Sequence, residues 1–245
     1  MNPFRRLSIT AKLTLLFFLF AALILLGVGV FAYLSGHAAV EQAVISDLQS
    51  TANEKQAALD WWLNDRLRLL VTITGFPAYR AHVNLLINDN LDDTARKTLQ
   101  AQTAQALAMF TGPNGDYAEL LIVEARQGQV IVSTQADNVG KFKEDRPYFV
   151  EGKRGPFVQN IVYSLEDRAP VLIVSAPMKA DDGRVIAVLA ARLKLEEMNE
   201  IIVRRTGLRA TDDAFLVNSS RLPVTQPRFL SDPAVLQRGI QTEPV

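Results

Sequence analysis

The chain has 245 residues, 49% of them apolar, and its 26 Lys and Arg residues balance 26 Asp and Glu residues. This composition excludes an intrinsically disordered chain and a strongly basic nucleic-acid-binding protein, so we expect no nucleic-acid partner. The sequence has no cysteine and only two histidines, which excludes disulfides, thiolate metal sites and a cysteine nucleophile. It also lacks a glycine-rich phosphate loop and a Gly-x-Ser-x-Gly elbow. We therefore predict no catalytic residue, no metal and no cofactor.

A membrane-spanning helix is predicted near the amino terminus. Residues Leu13–Leu34 form a run of 22 residues without a charged side chain, which is long enough for a bilayer core of roughly 30 Å. Arg5, Arg6 and Lys12 precede this run and the first acid is Glu41, so the positive-inside rule places the amino terminus in the cytoplasm. The alternative is a cleaved signal peptide, but its apolar region is usually only about 7–15 residues long.

A long helix is predicted from Ala38 to Thr74, directly after the membrane segment. Apolar residues recur at steps of three and four, and the first glycine or proline after Gly36 is Gly75. Such a helix would project about 50 Å at 1.5 Å per residue. Two interpretations stay open: a helix that packs on its own domain, or a stalk that pairs with a second copy to form a homodimer. Trp61 and Trp62 are predicted to lie in the core.

The rest of the chain changes from helical to strand periodicity. Two helices are predicted at Tyr79–Asn88 and Asp93–Phe110, the second with Asp92 or Asp93 as its N-cap. A hairpin, a short helix at 145–149, three antiparallel strands and a helix at Glu196–Arg205 follow. The predicted strands are Tyr117–Glu124 and Gln129–Thr134 in the hairpin, then Phe157–Ser164, Pro170–Pro177 and Arg184–Leu195.

These elements predict an α+β chain with four parts. A second hairpin at Ala214–Asn218 and Leu222–Thr225, with a short helix at Asp232–Arg238, is too small for a core of its own. It is typical of the opening of a further module. The parts are a cytoplasmic segment at 1–12, a transmembrane helix at 13–34, the long helix with a first module at 35–207, and an incomplete second module at 208–245.

Several short motifs, in this order, resemble the double Cache (dCache) sensor domain, the PAS-like extracytoplasmic ligand-binding region of bacterial receptors. They are Asn138-Val139-Gly140, Asp145-Arg146-Pro147-Tyr148-Phe149, Gly155, Val162-Tyr163-Ser164, the strands 170–177 and 182–189, and Leu195-Glu196-Glu197-Met198. The resemblance implies a single-pass anchor in a bacterial inner membrane, a PAS-like antiparallel sheet with flanking helices, and a small-molecule ligand outside the cell.

The resemblance also implies a signalling module beyond this sequence. A sensor histidine kinase is the interpretation we favour, with a diguanylate cyclase or a chemotaxis transducer as other possibilities, so enzymatic activity of the whole receptor stays open. The alternative from a different class is an anchored or secreted binding domain or hydrolase without a signalling role.

Five residues are candidates for ligand binding on the basis of the resemblance. Arg146 matches the arginine that faces the ligand in the family, although a structural arginine is the alternative. Tyr148 is a further candidate through its hydroxyl. Tyr163 and Ser175 are candidates on neighbouring strands, and alternation along a strand leaves open whether each of these two faces the pocket. Arg192 stands where the amino-acid-binding branch of the family has an aspartate.

The charge of these candidates favours an anionic ligand. Without the aspartate, the ammonium group of an amino acid lacks its counter-charge, and Lys141 replaces an aromatic residue of that branch. We therefore expect a small carboxylate rather than a zwitterionic amino acid. The alternative is that Arg192 pairs with Glu166 or Asp167, which would leave a neutral pocket.

Overall fold

The structure, a computed structural model, describes residues 9–88, 91–113, 115–165, 168–204, 212–218, 220–230, 235–236 and 239. It divides into two compact units, Met1–Asn53 and Glu54–Val245. In the described part of the first unit every residue is helical.

Helix α1 extends over Ile9–Thr74. By length and composition its apolar portion is sufficient to cross a membrane, and this portion includes the predicted segment Leu13–Leu34. The helix continues without interruption through the predicted long helix 38–74. In the second unit, Trp62 is buried in the core as predicted, whereas Trp61 is 71% exposed and that prediction was wrong.

The second unit contains a five-stranded antiparallel sheet with the strand order β2-β1-β7-β6-β3 and a separate two-stranded sheet of β4 and β5. The α+β architecture is as predicted. The strands are β1 (Tyr117–Glu124), β2 (Val130–Ser133), β3 (Phe157–Val158), β4 (Val162–Ser164), β5 (Ala169–Val171), β6 (Ile173–Lys179) and β7 (Val185–Leu193). The remaining helices are α2 (Pro77–Ile87), α3 (Asp93–Ala108), α4 (Pro147–Gly152) and α5 (Leu195–Val203), with a 3₁₀ turn at Ala136–Asn138.

The structure corrects the predicted strand Phe157–Ser164 and the strand after it. The predicted strand is divided in two: its first part, β3, joins the main sheet beside β6, whereas its last part, β4, leaves that sheet and pairs with β5. Pro170 explains part of this difference, because proline has no N–H to donate and is confined to the edges of sheets. The two-stranded sheet gives Pro170 such an edge.

The second module stays a prediction. Residues 205–211 and most of Asp232–Arg238 lie outside the described residues. Of the predicted hairpin, the described residues contain a single bridge between Val217 and Pro223.

The main sheet has two buried faces, and they determine where a site can form. On one face, residues such as Leu120, Ile122 and Leu189 pack against α1, α2 and α3. On the other, Leu121 and Val188 belong to a smaller cluster around α4. Because α4 has only six residues, it covers part of this second face and leaves the remainder open.

Candidate functional site

A cavity of about 430 Å³ lies on the α4 face of the sheet. This volume is within the range of about 300–1,000 Å³ that is typical of small-molecule sites. Strands β1, β6 and β7 contribute its floor, α4 and the β4–β5 hairpin contribute walls, and the loop between β2 and α4 contributes most of its charged groups.

Helix α4 is held against the sheet at both of its ends. Pro147 occupies the first helical position, where its fixed φ and missing N–H are tolerated. The Ser175 hydroxyl on β6 donates a 2.6 Å hydrogen bond to the carbonyl oxygen of Tyr148. Gly152 is the last residue of the helix and packs closely on β6, because an added Cβ atom would lie only 2.6 Å from Ser175 Oγ. The helix is thereby fixed with Arg146, its N-cap residue, at the cavity.

Two lysines reach the cavity from the segment that follows Gly140. Gly140 has φ of +87°, a conformation that glycine adopts without steric cost. The chain then runs along the edge strand β2, since the Val130 N–H donates to the Lys141 carbonyl at 2.8 Å. Lys141 and Lys143 are two residues apart in this extended segment, so both point to the same side. Both line the cavity, and Lys143 is only 7% exposed.

An ion pair between neighbouring strands forms part of the cavity floor. Glu119 on β1 lies opposite Arg192 on β7, and Arg192 Nη2 is 3.6 Å from Glu119 Oε2. Glu119 Oε1 also accepts hydrogen bonds from Ser133 Oγ at 2.8 Å and from Asn138 Nδ2 at 2.5 Å. Arg192 therefore has an acidic partner that the sequence analysis did not foresee.

Four of the five predicted site residues line the cavity: Arg146, Tyr148, Tyr163 and Arg192. Tyr148 is buried, and Tyr163 on β4 donates its hydroxyl to the Arg168 carbonyl at 2.9 Å. Ser175 departs from the expectation. It is fully buried beneath α4 and does not line the cavity, because its hydroxyl is used to hold that helix.

Sequence reasoning did not identify Glu119, Asp137 or Lys143 as lining residues. Glu119 had one available signal, an acid within the otherwise apolar strand Tyr117–Glu124. The alternative partners proposed for Arg192, Glu166 and Asp167, lie outside the described residues.

The charge of the cavity follows from its described lining. Four cationic side chains and two acidic ones line it, which gives a net charge of +2 when all are ionised. The cations are Lys141, Lys143, Arg146 and Arg192, and the acids are Glu119 and Asp137. The lining is therefore suited to an anion, with guanidinium groups that can bind a carboxylate through two parallel hydrogen bonds. In the part of the chain that the structure describes, no cluster of three or more His, Cys, Asp and Glu side chains could hold a metal.

Comparison with solved structures finds sensor domains of similar fold. The sensor domain of the V. cholerae histidine kinase DctB has a TM-score of 0.57 at 13% identity, over 75% of this chain and 67% of that one. The ligand-binding domain of the Pseudomonas aeruginosa PAO1 amino-acid chemoreceptor PctC, in complex with GABA, has a TM-score of 0.47 at 17% identity, over 70% of each chain. The E. coli DcuS sensor domain has a TM-score of 0.43 at 17% identity, over 58% of this chain and 96% of that one.

No family model matches the sequence, and comparison with curated proteins gives no match. The structural likeness nevertheless establishes the fold, which is that of the DctB sensor domain, a Cache-type domain. The predicted fold class and the predicted resemblance are thereby confirmed.

Proposed function

We propose that this chain is the extracytoplasmic ligand-sensing region of a membrane-anchored signalling receptor, and that its cavity binds a small organic anion with carboxylate groups. The observation that carries the proposal is the cavity of about 430 Å³ whose described lining has a net charge of +2. Its position, between a short helix and an antiparallel sheet of Cache-type fold, supports a binding site rather than a surface depression.

Electrostatics supports an anion over a zwitterion. An opposite charge at about 4 Å contributes roughly 4 kcal/mol at an effective dielectric constant near 20, before desolvation costs. Lys143 is buried, so its attraction to a ligand is less screened by solvent than that of a surface lysine. The described acids of the lining are Asp137, which is exposed, and Glu119, which already accepts two hydrogen bonds and pairs with Arg192. The ammonium group of an amino acid would therefore compete with Arg192 for Glu119.

A thermal-shift screen tests this proposal. The full chain in mild detergent is heated with a series of straight-chain dicarboxylates, the matching monocarboxylates, the matching amino acids and neutral polyols. We expect stabilisation by carboxylates, greater for dianions, because a ligand that binds only the folded state raises its apparent stability. Stabilisation by neutral amino acids and none by carboxylates would contradict the proposal.

A matched pair of variants locates the binding at the cavity. Arg146→Gln removes a cation of the lining, whereas Arg154→Gln removes an exposed arginine that pairs with Glu151 at 2.7 Å and does not line the cavity. A hydrogen bond to a charged group contributes about 1.5–3 kcal/mol, so Arg146→Gln should weaken carboxylate binding roughly 10- to 100-fold. Arg154→Gln should leave it unchanged. Equal effects of the two substitutions would place the ligand elsewhere.

The receptor context is also part of the proposal. A sensor histidine kinase in a bacterial inner membrane, with one crossing in this chain, is supported by the apolar portion of α1 and by the fold shared with the DctB sensor domain. A chimera tests it, in which this region replaces the sensor region of a histidine kinase. We expect autophosphorylation to change when the stabilising carboxylate is added. Ligand binding without any change in phosphorylation would contradict a signalling role.

Homodimerisation through α1 is the remaining element of the proposal. Val40 and Leu48 are exposed apolar side chains on this helix, and Val44 is partly exposed. Their spacing of four residues places them on one face of the helix, as expected for a seam between two copies.

A further inference from the structure

Glu119 occupies its position because of an irregularity in strand β1. Alternation would put residues 117 and 119 on the same face of a regular strand. In the structure the pairing of β1 with β7 shifts register between Tyr117 and Glu119, and a bulge of this kind redirects side chains. Tyr117 consequently faces the helices and donates to the Arg66 carbonyl, while Glu119 faces the cavity.

The carboxylate of Glu119 is buried and held in place. The residue is 4% exposed, and its Oε1 accepts from Ser133 on one side and from Asn138 on the other. Asn138 in turn accepts a 2.9 Å hydrogen bond from Lys141 Nζ through its side-chain oxygen. The contacts from Ser133 and Asn138 fix the position of the Glu119 carboxylate at the cavity.

We propose that Glu119 is the specificity-determining residue of the cavity: it is a built-in counter-anion for Arg192 that sets how many negative charges the ligand carries. This inference rests on the proposed function. With Glu119 ionised, the described lining has a net charge of +2, which matches a dianion. Without that charge the net value becomes +3 and a more highly charged anion is favoured.

The alternative roles of Glu119 make different predictions. If Glu119 only ties the loop before α4 to β1, its charge is irrelevant to the choice of ligand. If Glu119 receives an ammonium group, removal of its charge abolishes the binding of amino acids. The isosteric substitution Glu119→Gln separates these roles, because a glutamine oxygen can still accept from Ser133 and Asn138.

The test compares dissociation constants of a monocarboxylate, a dicarboxylate and a tricarboxylate, measured by isothermal titration of the full chain in detergent. Glu119→Gln should tighten binding roughly tenfold for each negative charge of the ligand, so that the preference for tri- over monocarboxylate increases about 100-fold. Two controls accompany it. Ser133→Ala removes one hydrogen bond to Glu119 without changing charge and should leave the preference unaltered. Asp137→Asn removes an exposed acid of the same lining. It should change the preference for tri- over monocarboxylate less than Glu119→Gln does, because solvent screens the charge of Asp137.

The double variant Glu119→Gln/Arg192→Gln keeps the net charge at +2 and covers the case in which the single variant fails to fold. It should bind with the wild-type preference. An unchanged preference in a folded Glu119→Gln variant, or amino acids that bind wild type and are lost in it, overturns the inference. So does a double variant that no longer binds anions, since Arg192 would then be a direct ligand contact.

Failure of the proposed function gives a different pattern. If wild type binds no carboxylate but Glu119→Gln binds the tricarboxylate, the proposed ligand class is wrong and the role of Glu119 stands. If neither binds any carboxylate, both are overturned.

Discussion

The packing of α4 on the sheet provides a prediction that can be worked out from distances. Gly152, the last residue of α4, is buried against β6 and β7. A Cβ atom at this position would lie 2.6 Å from Ser175 Oγ and 2.9 Å from Val188 Cγ1. Real Cβ atoms do not approach other atoms so closely, and both neighbours are fully buried, so Gly152→Ala must shift either α4 or these two side chains.

The magnitude follows from two opposing effects. Overpacking a buried site typically costs about 1–3 kcal/mol, whereas alanine is better than glycine in a helix interior by up to about 1 kcal/mol. Because Gly152 is at the helix end, the second effect is the smaller, and we expect a net loss of about 1–2 kcal/mol. Ser175→Ala alone should cost about 1 kcal/mol through its hydrogen bond to Tyr148.

The two substitutions should be coupled. Ser175→Ala removes the closest atom that the new methyl group meets, so the double variant should lose about 0.5–1 kcal/mol less than the sum of the single losses. Urea unfolding of the full chain in detergent measures all four proteins, followed by tryptophan fluorescence, which should change on unfolding because Trp62 is buried. A Gly152→Ala variant as stable as wild type, or strictly additive losses, would show that Gly152 and Ser175 do not pack against each other as described.

Three further predictions concern the helices and β1. Tyr117→Phe should cost about 1 kcal/mol near neutral pH by removing the hydrogen bond to the Arg66 carbonyl. Burial, and secondarily the charge of a neighbouring acid, raises the pKa of Tyr117. Its contribution to the free energy of unfolding is therefore constant below a pH of about 10 and falls above it, because the tyrosine then ionises in the unfolded chain only. Unfolding at graded alkaline pH should show a shallower loss of stability in Tyr117→Phe than in wild type, and an identical loss would contradict this. Lys55 donates to three carbonyl oxygens at the end of α5, at 2.6, 2.8 and 3.2 Å, so Lys55→Met should cost about 1.5–3 kcal/mol in urea unfolding, and a neutral effect would show that the contacts are dispensable. Single cysteines at Val40, Val44 and Leu48, which lie on one face of α1, should each crosslink between copies in membranes. Failure at all three positions would argue against dimerisation through this helix.

Local signals in the sequence were sufficient for most elements of the fold. The uncharged run and the unbroken helical pattern predicted α1, and Asp92 was correctly named as a possible N-cap, since its side chain accepts from the Ala95 N–H at 2.6 Å. The hairpin of β1 and β2 also followed from alternation and a turn. These features depend on residues that are close together in the chain.

The site was less predictable because it depends on contacts between distant residues. The pairing of Glu119 with Arg192 requires the register of two strands far apart in sequence, and the bulge after Tyr117 reverses the face that alternation would assign. The face that Ser175 occupies was left open by alternation, and the face on which it lies is divided between the cavity and α4. Arg146 was identified only through the resemblance to the Cache family, since no local pattern distinguishes it from other exposed arginines.

The position of a bound ligand would show whether the cavity is a carboxylate-binding site. A crystal structure of the chain with the carboxylate that stabilises it most should show that anion in the cavity beneath the β4–β5 hairpin. We expect a carboxylate oxygen within about 3 Å of the Arg146 guanidinium or the Lys143 ammonium, with Glu119 still paired to Arg192. A ligand bound outside this cavity, or one whose ammonium group contacts Glu119, would show that the cavity is not an anion-binding site of this kind.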